Sequence, residues 1–589
     1  MPLSSENASA VYPETLVFIG AGATASLKAP TTAEQDKLIC MLCGLGRFQG
    51  KSLDERFENT GFNNQGEPSR TRIKKFIQIL GDDISKDFLT VSDSDYEIVK
   101  SIYRSAGIEL SLEKLSESII HLRRTYDWNA LRHVAMICPF DAEEMNGDGS
   151  YKLTGNLIRF IYSILDKKIM AHQGLKIQQP DGRESVFIEH GRLQGARNCL
   201  TMLISLLFAC SWESILNDKE KLTPYIRFAE GYTRLMQEES LRFAERGYDL
   251  SSRRFYLNTS AFVSLNFEAI FLWIFYIAND RLNKSAGYIG NPPRPVKQYM
   301  EFGSGISLRD KGAPTEKQAQ GRLSCDESSA SRINKEGPGR CYQRLERFYF
   351  AHGSCHWREC PVCGKLSVYL GDRWEYYSRT LFPPFPVDFF GNERRRDSGE
   401  EKARTDLKED RVSCLHCGHL TETADAPMIM QTLFKNTPTS FLEEIQRSVK
   451  VHLMSARHIV LLGYSLPPDD TLWQQTFAEA VHARCRDEDT RAFCSVVVGR
   501  DGPQRWLYDA ELSDYLEKLQ KGGDLSVPGT IRSAWRLFGR SNVRAYIGGI
   551  PRVWNDASRE DLIELFYPSR ANWKGTRVEN EFQQRRKND

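Results

Sequence analysis

An α/β fold organised around a mostly parallel sheet is predicted by three observations. Short apolar runs recur along the chain without polar alternation, each of them stops at a Gly, Asn or His, and helical patterns fill the intervals. Runs without alternation mark strands buried on both faces, and such a sheet needs helices to cover it. The expected strands are Leu16 to Ile19 before Gly20, Ala261 to Leu265 before Asn266, and Phe348 to Ala351 before His352. Three more are Ile459 to Leu462 before Gly463, Phe493 to Val498 before Gly499, and Val543 to Ile547 before Gly548.

Composition narrows the class. The chain has 589 residues, 41% of them hydrophobic and 26% charged. These are the proportions of soluble globular proteins, and they exclude collagen-like, largely disordered and disulfide-dense chains. The 79 basic and 77 acidic side chains leave a net charge of +2. No overall field draws in nucleic acid or an anionic membrane, so neither is expected as a partner. No run approaches the ~18 apolar residues of a membrane span. The densest, Ala269 to Ala278, reads as a buried helix, and the polar start of the chain, with Glu6 and no basic segment, does not read as a secretory signal. Four of the 14 cysteines fall in paired C-x-x-C-G units. That pattern fits a reducing compartment and a metal, so a cytoplasmic location is expected.

The elements follow in order. Residues 1–50 hold the first strand and a glycine loop, and 51–250 read as a helical insertion. Its apolar stripe at Leu157, Ile158, Ile161, Ile164 and Leu165 is followed by the broader Leu200 to Trp212 and the charged helical pattern of Tyr225 to Phe243. Residues 251–350 return to the sheet, with 283–340 expected as a long, partly mobile linker rich in Gly, Pro, Ser, Lys and Arg. Residues 351–430 carry the cysteine pairs, 431–570 complete the sheet, and 571–589 form a polar tail.

Three constellations carry chemistry. Gly20-Ala21-Gly22-Ala23-Thr24-Ala25 satisfies G-x-G-x-x-A between a strand and a helix expected from Thr32. In a Rossmann-type, doubly wound sheet such glycines bring backbone amides against a dinucleotide pyrophosphate at a helix start. A tight strand-to-helix turn without ligand is the plainer alternative. No carboxylate stands about 20 residues on, where a dehydrogenase would need one, so nucleotide binding is expected and hydride transfer is not. The second constellation pairs Cys360-Pro361-Val362-Cys363-Gly364 with Cys414-Leu415-His416-Cys417-Gly418. Four thiolates suit one tetrahedral, structural Zn²⁺ in a small zinc-ribbon-like module, against buried free cysteines as the alternative. Cys355, His356 and His419 lie near enough to substitute as ligands, whereas Cys40 and Cys43 read as core packing. The third comprises Asn266, His352 and Gly463-Tyr464-Ser465, each directly after an apolar strand. Isolated Asn and His residues are usually structural, but ligand sites of doubly wound sheets lie outside the carboxyl ends of the strands.

Taken in order, these residues resemble the sirtuin pattern: the glycine loop with Pro30, Asn266 in Ser-Leu-Asn-Phe-Glu, His352-Gly353-Ser354, the two knuckles, and Gly463-Tyr464-Ser465-Leu466-Pro467. His352-Gly353-Ser354 with Trp357, and the continuation to Pro468-Asp469, are similar to the sirtuin-like NAD-hydrolysing proteins of bacterial antiphage defence. The resemblance spans about Thr15 to Pro551. It implies that Gly20, Ala21, Gly22 and Thr24 hold the NAD phosphates and adjacent ribose, and that Gly463 and Ser465 line the adenosine half. Asn266 would orient the nicotinamide ribose and the attacking water, with His352 as acid/base on the ribose hydroxyls.

Three positions depart from the family. Pro30 is followed by Thr31-Thr32-Ala33 where the deacylase pattern has Asp-Phe-Arg, Glu268 stands where sirtuins have Asp, and Gly499-Arg500-Asp501 replaces the Asn that contacts the adenine ribose. The implied activity is hydrolysis of NAD to nicotinamide and ADP-ribose, depleting NAD in infected cells. The rivals are an NAD-dependent protein deacylase and a non-enzymatic NAD- or ADP-ribose-binding scaffold of a defence complex. Unchecked NAD hydrolysis is toxic, so the helical region is the candidate for oligomerisation or autoinhibition. A homo-oligomer is expected, and a sensor or ATPase subunit is the candidate defence partner.

Overall fold

The computed structural model describes residues 14–58, 67–82, 89–105, 111–138, 144–145, 151–152, 157–178, 185–245, 260–284, 288–289, 294–295, 297–301, 322–324, 342–360, 362, 366–369, 376, 428, 440–467, 470–484, 491–498, 502–523, 526–554, 557–571 and 573. Among them, eight strands form the main sheet. They are β1 (Thr15–Ile19), β2 (Ser260–Ser264), β3 (Lys297–Glu301), β4 (Tyr342–Phe350), β5 (His458–Leu462), β6 (Phe493–Val497), β7 (Trp506–Tyr508) and β8 (Val543–Tyr546). Their order is β7-β8-β6-β5-β1-β2-β4-β3, and all run parallel except β7, which is antiparallel to β8 at one edge. The protein is therefore α/β with a mostly parallel sheet. Every residue of β1, β2, β5 and β6 is buried, which is why these strands read as unbroken apolar runs.

All six expected strands are present, and β4 starts six residues before the apolar run that marked it. Two edge strands had no such mark. Lys297–Glu301 and Trp506–Tyr508 each pair on one side only, so neither needs a continuous apolar sequence. The first lies within the stretch 283–340 expected as a long, partly mobile linker, and it pairs with β4 between Tyr342 and Arg347. Residues 302–321 and 325–341 of that stretch lie outside the described residues.

The segment between β1 and β2 is mainly helical, including Thr32–Cys43, Leu157–Met170, His190–Asn217 and Lys219–Glu245. Two short hairpins, Glu144–Met145 with Tyr151–Lys152 and Leu175–Gln178 with Ser185–Ile188, interrupt it. The stripe at Leu157, Ile158, Ile161 and Leu165 is buried, and its helix packs on His190–Asn217. That stripe is covered within the chain itself, so Ile161→Asp would report on folding and not on assembly. His190–Asn217 also overturns the expectation that no segment is apolar enough to cross a membrane. It passes by length and composition, yet 94% of its most apolar window is buried within the protein.

One continuous core joins this region to the sheet. Phe228 of the insertion stacks on Trp554 with centroids 4.2 Å apart, Tyr232 meets Phe566 at 4.8 Å, and β2 contributes Phe262, 5.0 Å from Phe275. Each such ring contributes about 1.5–3 kcal/mol on burial, so the Lys219–Glu245 helix of the insertion is anchored by packing. Cys40 and Cys43 end the Thr32–Cys43 helix as buried thiols of this core, and Cys40 Sγ donates to Leu45 O at 3.9 Å.

Candidate functional site

Strand register brings the candidate residues together. Ile19 of β1 lies level with Ser264 of β2 and Leu462 of β5, Leu462 with Val497 of β6, and Ser264 with Phe350 of β4. The chain therefore leaves adjacent strands at one height, at Gly20, Leu265, Gly463, Val498 and Ala351. Hydrogen bonds extend this alignment past the strands: Leu265 N donates to Ile19 O at 2.9 Å and Gly20 N to Leu462 O at 3.0 Å. Beyond these ends opens a cleft of about 480 Å³, within the size range of ligand pockets. Gly20, Ala21, Gly22, Thr24, Asn266, Gly463 and Ser465 all line it.

The glycine loop serves packing before it serves any ligand. A Cβ on Gly20 would stand 2.6 Å from Gly463 O, and one on Gly22 would stand 2.8 Å from the same atom. Gly22 N donates to Gly463 O at 3.0 Å, so the amides of both glycines are committed to the neighbouring strand end. Two 3₁₀ turns, Ala21–Ala23 and Ala25–Leu27, separate the loop from the helix at Thr32. That helix begins with a capping box between Thr31 and Glu34, which places a carboxylate in its first turn and weakens it as an anion seat. Gly20 and Gly22 thus line the cleft while making backbone-to-backbone contact with the Leu462–Gly463 strand end.

Asn266 and Glu268 form the polar centre. Asn266 Nδ2 donates to Gly20 O at 3.1 Å and to Glu268 Oε1 at 2.8 Å. Both amide hydrogens are thus used, and the atom Asn266 can offer a ligand is its Oδ1 acceptor. Glu268 also accepts from Thr24 Oγ1 at 3.0 Å and from Ile270 N at 3.0 Å. Burial raises its carboxyl pKa, and the bonds from Ile270, Asn266 and Thr24 oppose the shift. In the sequence Glu268 stands out only as a departure from a pattern. Its role as the link between glycine loop and Asn266 depends on a contact 244 residues apart.

His352 follows β4 as expected, but it is fully buried and does not line the cleft. Trp473 Nε1 donates to its Nε2 at 3.0 Å, while Nδ1 donates to Leu265 O at 3.3 Å. Asp470 Oδ2 lies 3.5 Å from Nε2 and accepts from Tyr464 OH at 2.9 Å. Leu265, which holds the imidazole, is itself part of the cleft wall. The structure therefore gathers Asn266, the glycine loop and Gly463–Ser465 on one surface and keeps His352 behind it.

The helical insertion supplies a wall that the sequence did not reveal. Ile158, Arg159 and Phe208 of this region also line the cleft. Asp36 Oδ1 accepts from Ile158 N at 2.8 Å, tying the first turn of Leu157–Met170 to the helix after the glycine loop. A second tie runs from Tyr225 OH, which donates to Ala23 O at 2.7 Å. Burial raises the Asp36 carboxyl from 3.8 to about 6 against the opposing Ile158 bond. The unfolded chain ionises first, so this burial costs nothing below about pH 4, and its cost grows to a full value above pH 6. Asp36→Asn keeps an acceptor for Ile158 and should stabilise the protein near pH 7 by up to about 3 kcal/mol, with no gain near pH 4. Melting midpoints of both proteins at the two pH values check this, and an equal difference at both would refute it.

Of the four expected metal ligands, Cys360 is buried at the end of the Trp357–Glu359 strand. Cys363, Cys414 and Cys417 lie outside the described residues, as do Gly499-Arg500-Asp501. Among the described residues, no group of three or more His, Cys, Asp or Glu side chains is placed to hold a metal ion. No family model matches this chain, and no curated protein matches it either.

Proposed function

We propose that this chain is an NAD hydrolase of sirtuin-like type built on a Rossmann-type sheet. The observation that carries the reading is the meeting of the glycine loop, Asn266 and Gly463–Ser465 around one cleft at the carboxyl ends of the strands. Strand order reverses between β1 and β5, which is the place where doubly wound sheets bind nucleotides. Val496, Val497, Val498 and Val527 give the β6 side of the cleft an apolar surface suited to a planar base. Near Asn266 the nicotinamide–ribose C–N bond breaks, the bonding electrons leave with nicotinamide, and water adds to the ribose carbon with loss of a proton. Asn266 Oδ1 is an acceptor suited to orienting that water or a ribose hydroxyl. A polar acceptor also favours the cationic sugar of the transition state. The acid/base role for His352 requires the Leu265 wall to yield so that the imidazole reaches the ligand.

The proposal extends to a structural Zn²⁺ on Cys360, Cys363, Cys414 and Cys417. Its support is the doubled knuckle and the position of the first one, in the connection between the antiparallel strands Trp357–Glu359 and Leu366–Tyr369. One equivalent of zinc in purified protein is expected, and stable metal-free protein would refute it. A cytoplasmic antiphage effector, acting as a homo-oligomer or with a sensor or ATPase partner, is the cellular role in keeping with this chemistry. The test is nicotinamide release from NAD with and without an acetyl-lysine peptide, in vitro and in infected cells. Release without peptide supports the hydrolase, peptide-dependent release of O-acetyl-ADP-ribose supports a deacylase, and binding without turnover in either setting supports a scaffold.

A further inference from the structure

Several donors of the cleft's glycine loop are already occupied. The Gly20 and Gly22 amides bond to Leu462 O and Gly463 O, and the Thr24 hydroxyl bonds to Glu268. The nearby Thr32–Cys43 helix uses its first turn for its own capping box. Glu268 adds a carboxylate to the lining, which disfavours an anion. A nucleotide pyrophosphate needs donors and positive charge, and among the described residues lining the cleft Arg159 is the basic one. It is half-buried, and the carboxyls of Asp36 and Asp470 lie within electrostatic reach of its guanidinium. Its backbone is held in place by the Asp36 bond to Ile158 N at the start of the same helix.

We propose that Arg159 is the phosphate-recognising residue of this cleft, carried in by the inserted helix to grip the nucleotide pyrophosphate. The guanidinium fork matches phosphate oxygens in pairs, which an ammonium cannot do. Bound ligand then bridges the insertion and the strand ends, so occupancy of the cleft is felt by the helical region. This role rests on the nucleotide reading above and adds to it the source of the positive charge.

Calorimetric titration of the full chain with ADP-ribose and with adenosine tests it, using wild type, Arg159→Gln and Arg159→Lys. Arg159→Gln should weaken ADP-ribose by about 10- to 100-fold and leave adenosine unchanged, since bonds to charged groups are worth about 1.5–3 kcal/mol. Arg159→Lys should recover part of the loss, and the wild-type ADP-ribose affinity should fall with added salt. The unliganded melting midpoints should agree among the three proteins. Unchanged ADP-ribose affinity in Arg159→Gln overturns the proposal and leaves the nucleotide reading standing. Equal weakening of both ligands also overturns it, because the residue then shapes the cleft without reading phosphate. A wild type that binds neither ligand fails the nucleotide reading, and this proposal with it.

Discussion

Asn266→Ala should slow peptide-independent nicotinamide release by about 10²–10⁴-fold, the range for a group that positions or assists proton transfer. ADP-ribose affinity should stay within a few-fold of wild type, since the proposed phosphate contact is Arg159. The loss follows from geometry: Nδ2 is held by Gly20 O and Glu268, so one oriented acceptor, Oδ1, disappears with the side chain. Asn266→Asp should be no better, because its carboxylate would face Glu268 Oε1 at the present 2.8 Å contact. His352→Ala separates two roles in the same assay. Lost turnover with an unchanged melting midpoint would place the imidazole in the chemistry. A lowered midpoint would make it a prop for the Leu265 carbonyl and the Trp473 indole. Turnover by Asn266→Ala equal to wild type would end the catalytic reading of this cleft.

Gly463→Ala should produce the largest loss of stability of any Gly→Ala change among the described glycines. Its φ of +62° lies in the left-handed region, where a side chain costs about 1–2 kcal/mol. The new Cβ would also stand 2.1 Å from Ala23 N and 2.4 Å from Gly22 C, both backbone atoms of the facing loop. The two strand-end loops would have to separate, for a total cost expected at about 4 kcal/mol or more, with loss of the cleft's ligand affinity. Gly529→Ala is the matched control. It lies in the Ser526–Phe538 helix, where an added methyl would meet no atom within 4 Å, and should gain up to about 1 kcal/mol. Similar melting midpoints for the two variants would refute the close-approach account. Gly22→Val would strike Gly463 before it filled any pyrophosphate space, and so cannot isolate binding from folding.

The apolar runs at β1, β2, β5 and β6 made the central sheet legible, because a strand covered on both faces must be apolar at nearly every position. Gly20, Asn266, His352 and Gly463, which follow the apolar runs of β1, β2, β4 and β5, were legible as a group for the same reason. A parallel sheet with level strand ends collects whatever follows them. Edge strands β3 and β7 were hidden, since half-paired strands have no such constraint on composition.

Sequence by itself determined the class of fold, the strand ends that meet, and the resemblance from which the proposed chemistry starts. Tertiary structure alone decided which of those residues line the cleft. It set His352 behind Leu265, tied the Gly20 and Gly22 amides to the next strand, and brought Arg159 from a distant helix to the cleft. Periodicity reports that a residue is buried or exposed. Which neighbour it meets depends on contacts hundreds of residues apart, as between Thr24 and Glu268, and local pattern carries no record of them.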